Sequence, residues 1–126
     1  MKKIMTIIIT VALAAILLAA CGSKKEESAT QTTYDNGAAA LSIMEKCNNG
    51  ELDPDTAEAE LEKILDALSE EHDELTSSIN DNMDNRIICN ELTSSEISLY
   101  ILAIHGNGDP ETDASNFSVI LESFRQ

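Results

Sequence analysis

Over positions 53–75, Ala57, Leu61, Ile64, Leu65, Leu68, His72 and Leu75 recur at i, i+3, i+4 and i+7, which gathers them on one face of an α-helix. Local signals fix where this helix begins. Asp53 is an N-cap, Pro54 stands in the first turn, where a missing N–H is harmless, and Asp55 and Glu58 suit the positive end of the helix dipole. The other end is set by charge. Glu70, Glu71, Asp73 and Glu74 would crowd the negative end of a helix that stopped among them, so the helix is expected to continue to about Ser78. The turn then falls in Ile79, Asn80 and Asp81.

The same periodicity extends to both sides. Asp35 or Asn36 caps a first helix over 37–48 that aligns Ala40, Leu41, Met44 and Cys47, with Asn49 and a left-handed Gly50 closing it. A third helix over 82–105 turns Ile87, Ile88, Leu92, Ile97, Tyr100, Ile101 and Ile104 inward and stops at Gly106, Asn107 and Gly108. Asp109 and Pro110 repeat the cap-and-proline start, and a fourth helix carries Phe117, Ile120, Leu121 and Phe124. No stretch alternates apolar and polar side chains with β-branched enrichment, so no sheet is expected. Short connections favour antiparallel neighbours. The fold class that follows is all-α, a small up-down bundle of about four helices over 37–126.

Upstream of the bundle, 21–36 is polar and low in apolar side chains, so it is expected to form a flexible tether reaching roughly 20 Å. Before it, Lys2 and Lys3 precede a 17-residue apolar run over 4–20, interrupted only by Thr6 and Thr10 and near the lower limit for spanning a bilayer. The run ends in Leu18-Ala19-Ala20-Cys21-Gly22-Ser23. This resembles the lipobox of bacterial lipoproteins, with its leucine three before the cysteine and small residues beside it. The resemblance implies that 1–20 is a signal peptide, cut by signal peptidase II between Ala20 and Cys21. Cys21 would then carry diacylglycerol, and two acyl chains such as palmitate suffice for stable anchoring. The first partner implied is the lipid bilayer, and the address is the extracytoplasmic face of the cell membrane.

Ala40-Leu41, Asn49-Gly50-Glu51-Leu52-Asp53-Pro54, Ala57, Leu61, Ile64-Leu65 and Leu99-Tyr100-Ile101-Leu102 resemble small uncharacterised helical lipoproteins of Gram-positive bacteria. That resemblance covers most of the segment after Cys21. It implies the fold and the address and lends no activity.

Charge excludes some functions. The chain has 23 acidic and 8 basic side chains and a net charge of −15, which repels phosphate and argues against a nucleic-acid partner. At 3% aromatics it has little to stack on bases or sugars. Loss of Lys2 and Lys3 with the signal peptide would leave 6 basic residues against 23 acidic ones, −17 on 106 residues. Such a body stands off anionic headgroups, with only Lys24 and Lys25 favouring the surface.

The segment 51–74 holds eleven carboxylates and one lysine, and such a run is read as a solvated helix face. A sharper pattern lies in 80–91. As a twelve-residue calcium loop it offers Asn80, Asn82 and Asp84 at positions 1, 3 and 5, Ile87 at 8 and Glu91 at 12. Asn80 stands where such loops carry Asp, and Asn85 where they carry Gly. The favoured reading is a turn rich in capping residues, with a metal role for Asn80, Asn82, Asp84 and Glu91 as the alternative.

His72 and His105 are the two histidines, and neither has a second ligand at i+3 or i+4. His72 belongs to the apolar stripe and His105 to a helix C-terminus, where a cation is favoured. No Gly-x-Ser-x-Gly elbow and no glycine-rich phosphate loop occurs, so no catalytic or cofactor-binding residue is assigned. Cys47 and Cys89 are expected as separate thiols. Their levels in an up-down bundle differ by about fifteen residues, roughly 22 Å at the helical rise, against the 7 Å or so that a disulfide allows.

The functional expectation is a membrane-anchored, non-catalytic protein-interaction module facing an envelope or secreted protein. The alternative is an acidic ligand-binding or immunity-type lipoprotein that captures cationic peptides or metal ions.

Overall fold

The computed structural model describes residues 29–79 and 84–124. The signal peptide, the Ala20/Cys21 cleavage site, the lipidation site Cys21, and Asn80 and Asn82 lie outside the described residues. Among the described residues four α-helices follow one another: α1 Gln31–Asn48, α2 Pro54–Ser78, α3 Asn85–Leu102 and α4 Pro110–Ser123. Between α3 and α4 a wide π-turn occupies Ala103–Asn107. Among the described residues there is no strand. The architecture is the small all-α bundle that the periodicity predicts.

Each start is chemically marked. Asp53 and Asp109 accept hydrogen bonds from Thr56 N and from Glu111 N and Thr112 N, each ahead of a proline in the first turn. Asp84 caps α3 by accepting from Arg86 N. Gly50, after α1, takes φ +80°, the left-handed geometry expected of it.

The up-down order is written in the cross-links. Residues early in α1 meet residues late in α2, as Thr30 meets Glu71. Residues late in α2 meet residues early in α3, as His72 meets Glu91. Asn48, ending α1, donates to the Pro110 carbonyl at the start of α4. α1 and α3 each contact all three other helices, and α2 and α4 flank them.

α3 is the most enclosed element. Ile87, Ile88, Cys89, Leu92, Ile97, Tyr100 and Ile101 are buried, and so are Asn90, Thr93, Ser94, Ser95 and Ser98. Small hydroxyl residues tolerate this because a backbone oxygen one turn back takes their proton. Thr93 Oγ1 donates to Cys89 O at 2.8 Å and Ser98 Oγ to Ser94 O at 3.0 Å. The span Asn85–Asn107 is long and apolar enough to cross a membrane by length and composition, yet 72% of its most apolar window is buried inside the bundle. A helix apolar on nearly every side belongs in a core.

Three boundaries differ from the sequence expectation. The tether expected over 21–36 stops short of its last six residues, because 31–36 is helical. Thr30 caps α1 by accepting from Thr33 N at 3.0 Å, and both threonine hydroxyls donate to Glu71, so tertiary hydrogen bonds order a turn too polar to order itself. Gly37, read as a helix start, lies inside α1. A Cβ there would come within 2.5 Å of Leu121 Cδ2, so the glycine lets α4 approach α1. α3 begins at Asn85, three residues later than the capping pattern suggested, because Asp84 takes the cap.

Candidate functional site

The outer face of α2 and the turn before it form the most strongly charged surface described. Glu51, Asp53, Asp55, Glu60, Glu62, Asp66, Glu70, Asp73 and Glu74 are exposed, with Glu58 and Glu71 half-buried. The run 51–74 is therefore a solvated face over most of its length, as read. Lys63 is its one basic residue. Asp53 is committed to capping: its hydrogen bonds from Thr56 hold its carboxyl below the ordinary 3.8.

Glu71 leaves that face and turns inward. It accepts from Thr30 Oγ1 at 2.5 Å, from Thr33 Oγ1, and from Asn90 Nδ2 at 3.1 Å. Asn90 is almost fully buried and also donates to the Leu68 carbonyl at 3.0 Å. One carboxylate thus joins α1, α2 and α3, a structural role the sequence did not single out.

Of the calcium-loop alternative the structure describes Asp84 and Glu91, while Asn80 and Asn82 lie outside the described residues. Residues from Asn85 onward are α-helical, so Asp84 and Glu91 stand seven residues apart along α3, about 10 Å at the helical rise. Each has another partner. Asp84 pairs with the Arg86 guanidinium at 3.0 Å, which holds its carboxyl below the ordinary range. Glu91 Oε1 lies 2.9 Å from His72 Nε2.

A second acidic locus joins α3 to α4. Burial, reinforced by the neighbouring Asp113, pushes the Glu96 carboxyl above its ordinary value, and Asp113 is raised by burial and by Asp109. Cys47 and Cys89 are both free thiols, as expected, and burial pushes the Cys89 thiol up to about 12. A thiol so protonated is a poor nucleophile.

One grouping was not anticipated. Where α3 gives way to the π-turn, His105 leaves helical geometry at φ −100°, ψ 16°, followed by Gly106 at φ +95°. Its Nε2 reaches Glu58 Oε1 at 2.8 Å. Asp55, one turn before Glu58, completes a trio whose ligand atoms all lie within 4.8 Å of one another. His105 was placed correctly at a helix end, and Asp55 and Glu58 at a helix start. What joins them is the antiparallel register of α2 and α3. The pairs His72/Glu91 and Glu58/His105 share the midpoint 81.5 in residue number, so one antiparallel register brings both pairs level.

No protein-family model, curated protein or solved structure matches this chain.

Proposed function

We propose that the chain is a membrane-anchored extracytoplasmic lipoprotein whose helical body is a non-catalytic interaction module, and that the acidic face of α2 receives a cationic segment of an envelope or secreted protein. The lipobox-like Leu18-Ala19-Ala20-Cys21 supports the anchor. The observation that carries the binding mode is the nine exposed carboxylates over 51–74 on one side of a packed bundle. Apolar docking has less to work with, since Val119 is the large hydrophobic side chain left exposed among the described residues.

A row of like charges on one rigid helix raises the local concentration of a cationic segment and speeds its capture. The same acidity keeps the body off an anionic bilayer. The alternative of metal-ion capture draws on the same charge and is taken up below.

The test uses the lipidated protein in native membranes as bait, eluted with increasing salt. An electrostatic partner is released between low and physiological ionic strength, because screening acts over about 8–10 Å. It should also be lost from a Glu60→Gln, Glu62→Gln, Asp66→Asn variant. Retention in that variant or through high salt would reject the acidic face as the interface. Cys21→Ser tests the anchor separately: a variant that still enters the detergent phase at mature mass would refute the lipoprotein reading.

A further inference from the structure

We propose that Asp55, Glu58 and His105 bind a divalent transition-metal ion of the zinc class, a site that stands whether or not the α2 face captures a cationic partner.

The donors come from two elements. Asp55 and Glu58 are three residues apart and project from the same side of the first turns of α2. His105 arrives from 47 residues away along the chain, in the π-turn that follows α3. The imidazole distinguishes this corner from the rest of the acidic face. Exposed carboxylates alone hold hard cations loosely, whereas one imidazole with two carboxylates suits zinc and its neighbours.

The geometry is close to what an ion needs. Zinc binds nitrogen and carboxylate oxygen at about 2.0–2.2 Å, so the donor atoms of a tetrahedral site stand roughly 3.3–3.6 Å apart. His105 Nε2 and Glu58 Oε1 are now 2.8 Å apart, and the three ligand atoms span no more than 4.8 Å. Replacing the proton between imidazole and carboxylate by a metal requires these atoms to separate by well under 1 Å. Asp55 and His105 are exposed and Glu58 half-buried, so the side chains have room to adjust and water can complete the coordination.

Charge favours the ion. Two carboxylates and a neutral imidazole present −2 to a +2 cation. The α2 N-terminus opposes this with roughly +0.5, which the two carboxylates outweigh. Asp53, two residues before Asp55, is not a further donor because both its oxygens are engaged by Thr56.

The experiment is calorimetric titration of the full chain carrying Cys21→Ser, kept reduced, with Zn²⁺ at pH 7. The expected result is one equivalent bound, with Mg²⁺ at the same concentrations giving no comparable heat. His105→Ala and Glu58→Gln should each weaken binding at least about tenfold, with helical circular dichroism unchanged because both side chains reach solvent. His72→Ala should leave the affinity within about twofold. The His105 ring ¹⁵N signals give an independent readout, since Nε2 should shift on saturation with Zn²⁺. Zinc bound equally well by His105→Ala would mean diffuse association with the acidic face or capture by thiols, and would overturn the assignment. So would no saturable binding in the chain with all three donors intact, or loss of binding in His72→Ala.

Discussion

Tyr100 Oη lies 2.7 Å from Asn48 Oδ1, joining the last turn of α3 to the last turn of α1 across 52 residues of sequence. The same hydroxyl is 2.9 Å from the Met44 carbonyl, and Asn48 passes the connection on by donating to Pro110 O at 3.2 Å. Three helices therefore meet at one fully buried phenol.

Tyr100→Phe keeps the ring and removes the donor. It is expected to cost about 1–2 kcal/mol, measured by urea unfolding, because the Met44 and Asn48 oxygens lose a buried partner. Burial, and then Cys47 beside it, raise the phenol above its ordinary 10.0. In a Tyr34→Phe background the ultraviolet titration of Tyr100 should therefore begin above pH 10 and coincide with loss of helix. Reversible ionisation at the ordinary value would contradict the buried hydroxyl.

Glu71→Ala leaves the Thr33 hydroxyl and one proton of the Asn90 amide facing a void. The expected loss is about 2–3 kcal/mol. Glu71→Gln should be milder, since its oxygen still accepts and a threonine hydroxyl can rotate to accept from its amide. Hydrogen exchange reports the location: 31–36 should lose protection in Glu71→Ala before α3 does. Equal stability of the two variants would argue against the hub.

Glu96 gives a pH signature of the same sign as Tyr100, in the carboxylate range. Its folded pKa is raised above the ordinary 4.5, so the folded state holds the proton more tightly than the unfolded chain does. Stability tied to this group is full in acid below that ordinary value and is lost as pH rises through the higher folded value. Glu96→Gln cannot ionise and should melt a few degrees higher than the native chain at pH 7. The gain should vanish below about pH 4, where both carry a neutral side chain. A gain that persists in acid would mean the amide acts by packing alone.

The two thiols should part company in a labelling experiment. Cys89 is fully buried with its thiol held up to about 12, whereas Cys47 is half-buried. On Cys21→Ser protein at pH 8, a thiol reagent should label Cys47 alone until the fold is opened. Both should react once denaturant is added without reductant. Neither reacting would point to a bridge, and non-reducing mass would show whether it lies within or between chains.

Much of this fold is local information. Asp53 and Asp109 each precede a proline, and a carboxylate that caps the next turn does so whatever the rest of the chain does. The aliphatic stripes of α2, α3 and α4 follow from helical period alone. The first turn of α1 was not legible because Thr30 and Thr33 are ordered by Glu71, about forty residues away. The burial of Thr93, Ser94, Ser95 and Ser98 escaped for a related reason. The hydroxyls of Thr93 and Ser98 bond to their own helix and so cease to be polar toward their neighbours, which composition cannot register. At the Asp55, Glu58 and His105 corner every residue had been assigned to its helix end. What joins the ends is the α2–α3 register, which no local signal in the sequence specifies.

The enclosure of α3 also bears on the order in which the chain is made. Its most apolar helix is complete at Leu102, before α4 supplies Ala114, Phe117, Leu121 and Phe124 to the core. During synthesis a segment with the length and hydropathy of a membrane span is therefore unsheathed on one flank. α1 and α2 already pack on α3, so what waits for the last helix is the cover of the remaining flank. A chain interrupted before Pro110 would display that flank and partition toward lipid or chaperone, while its acidic helix α2 pulls the other way.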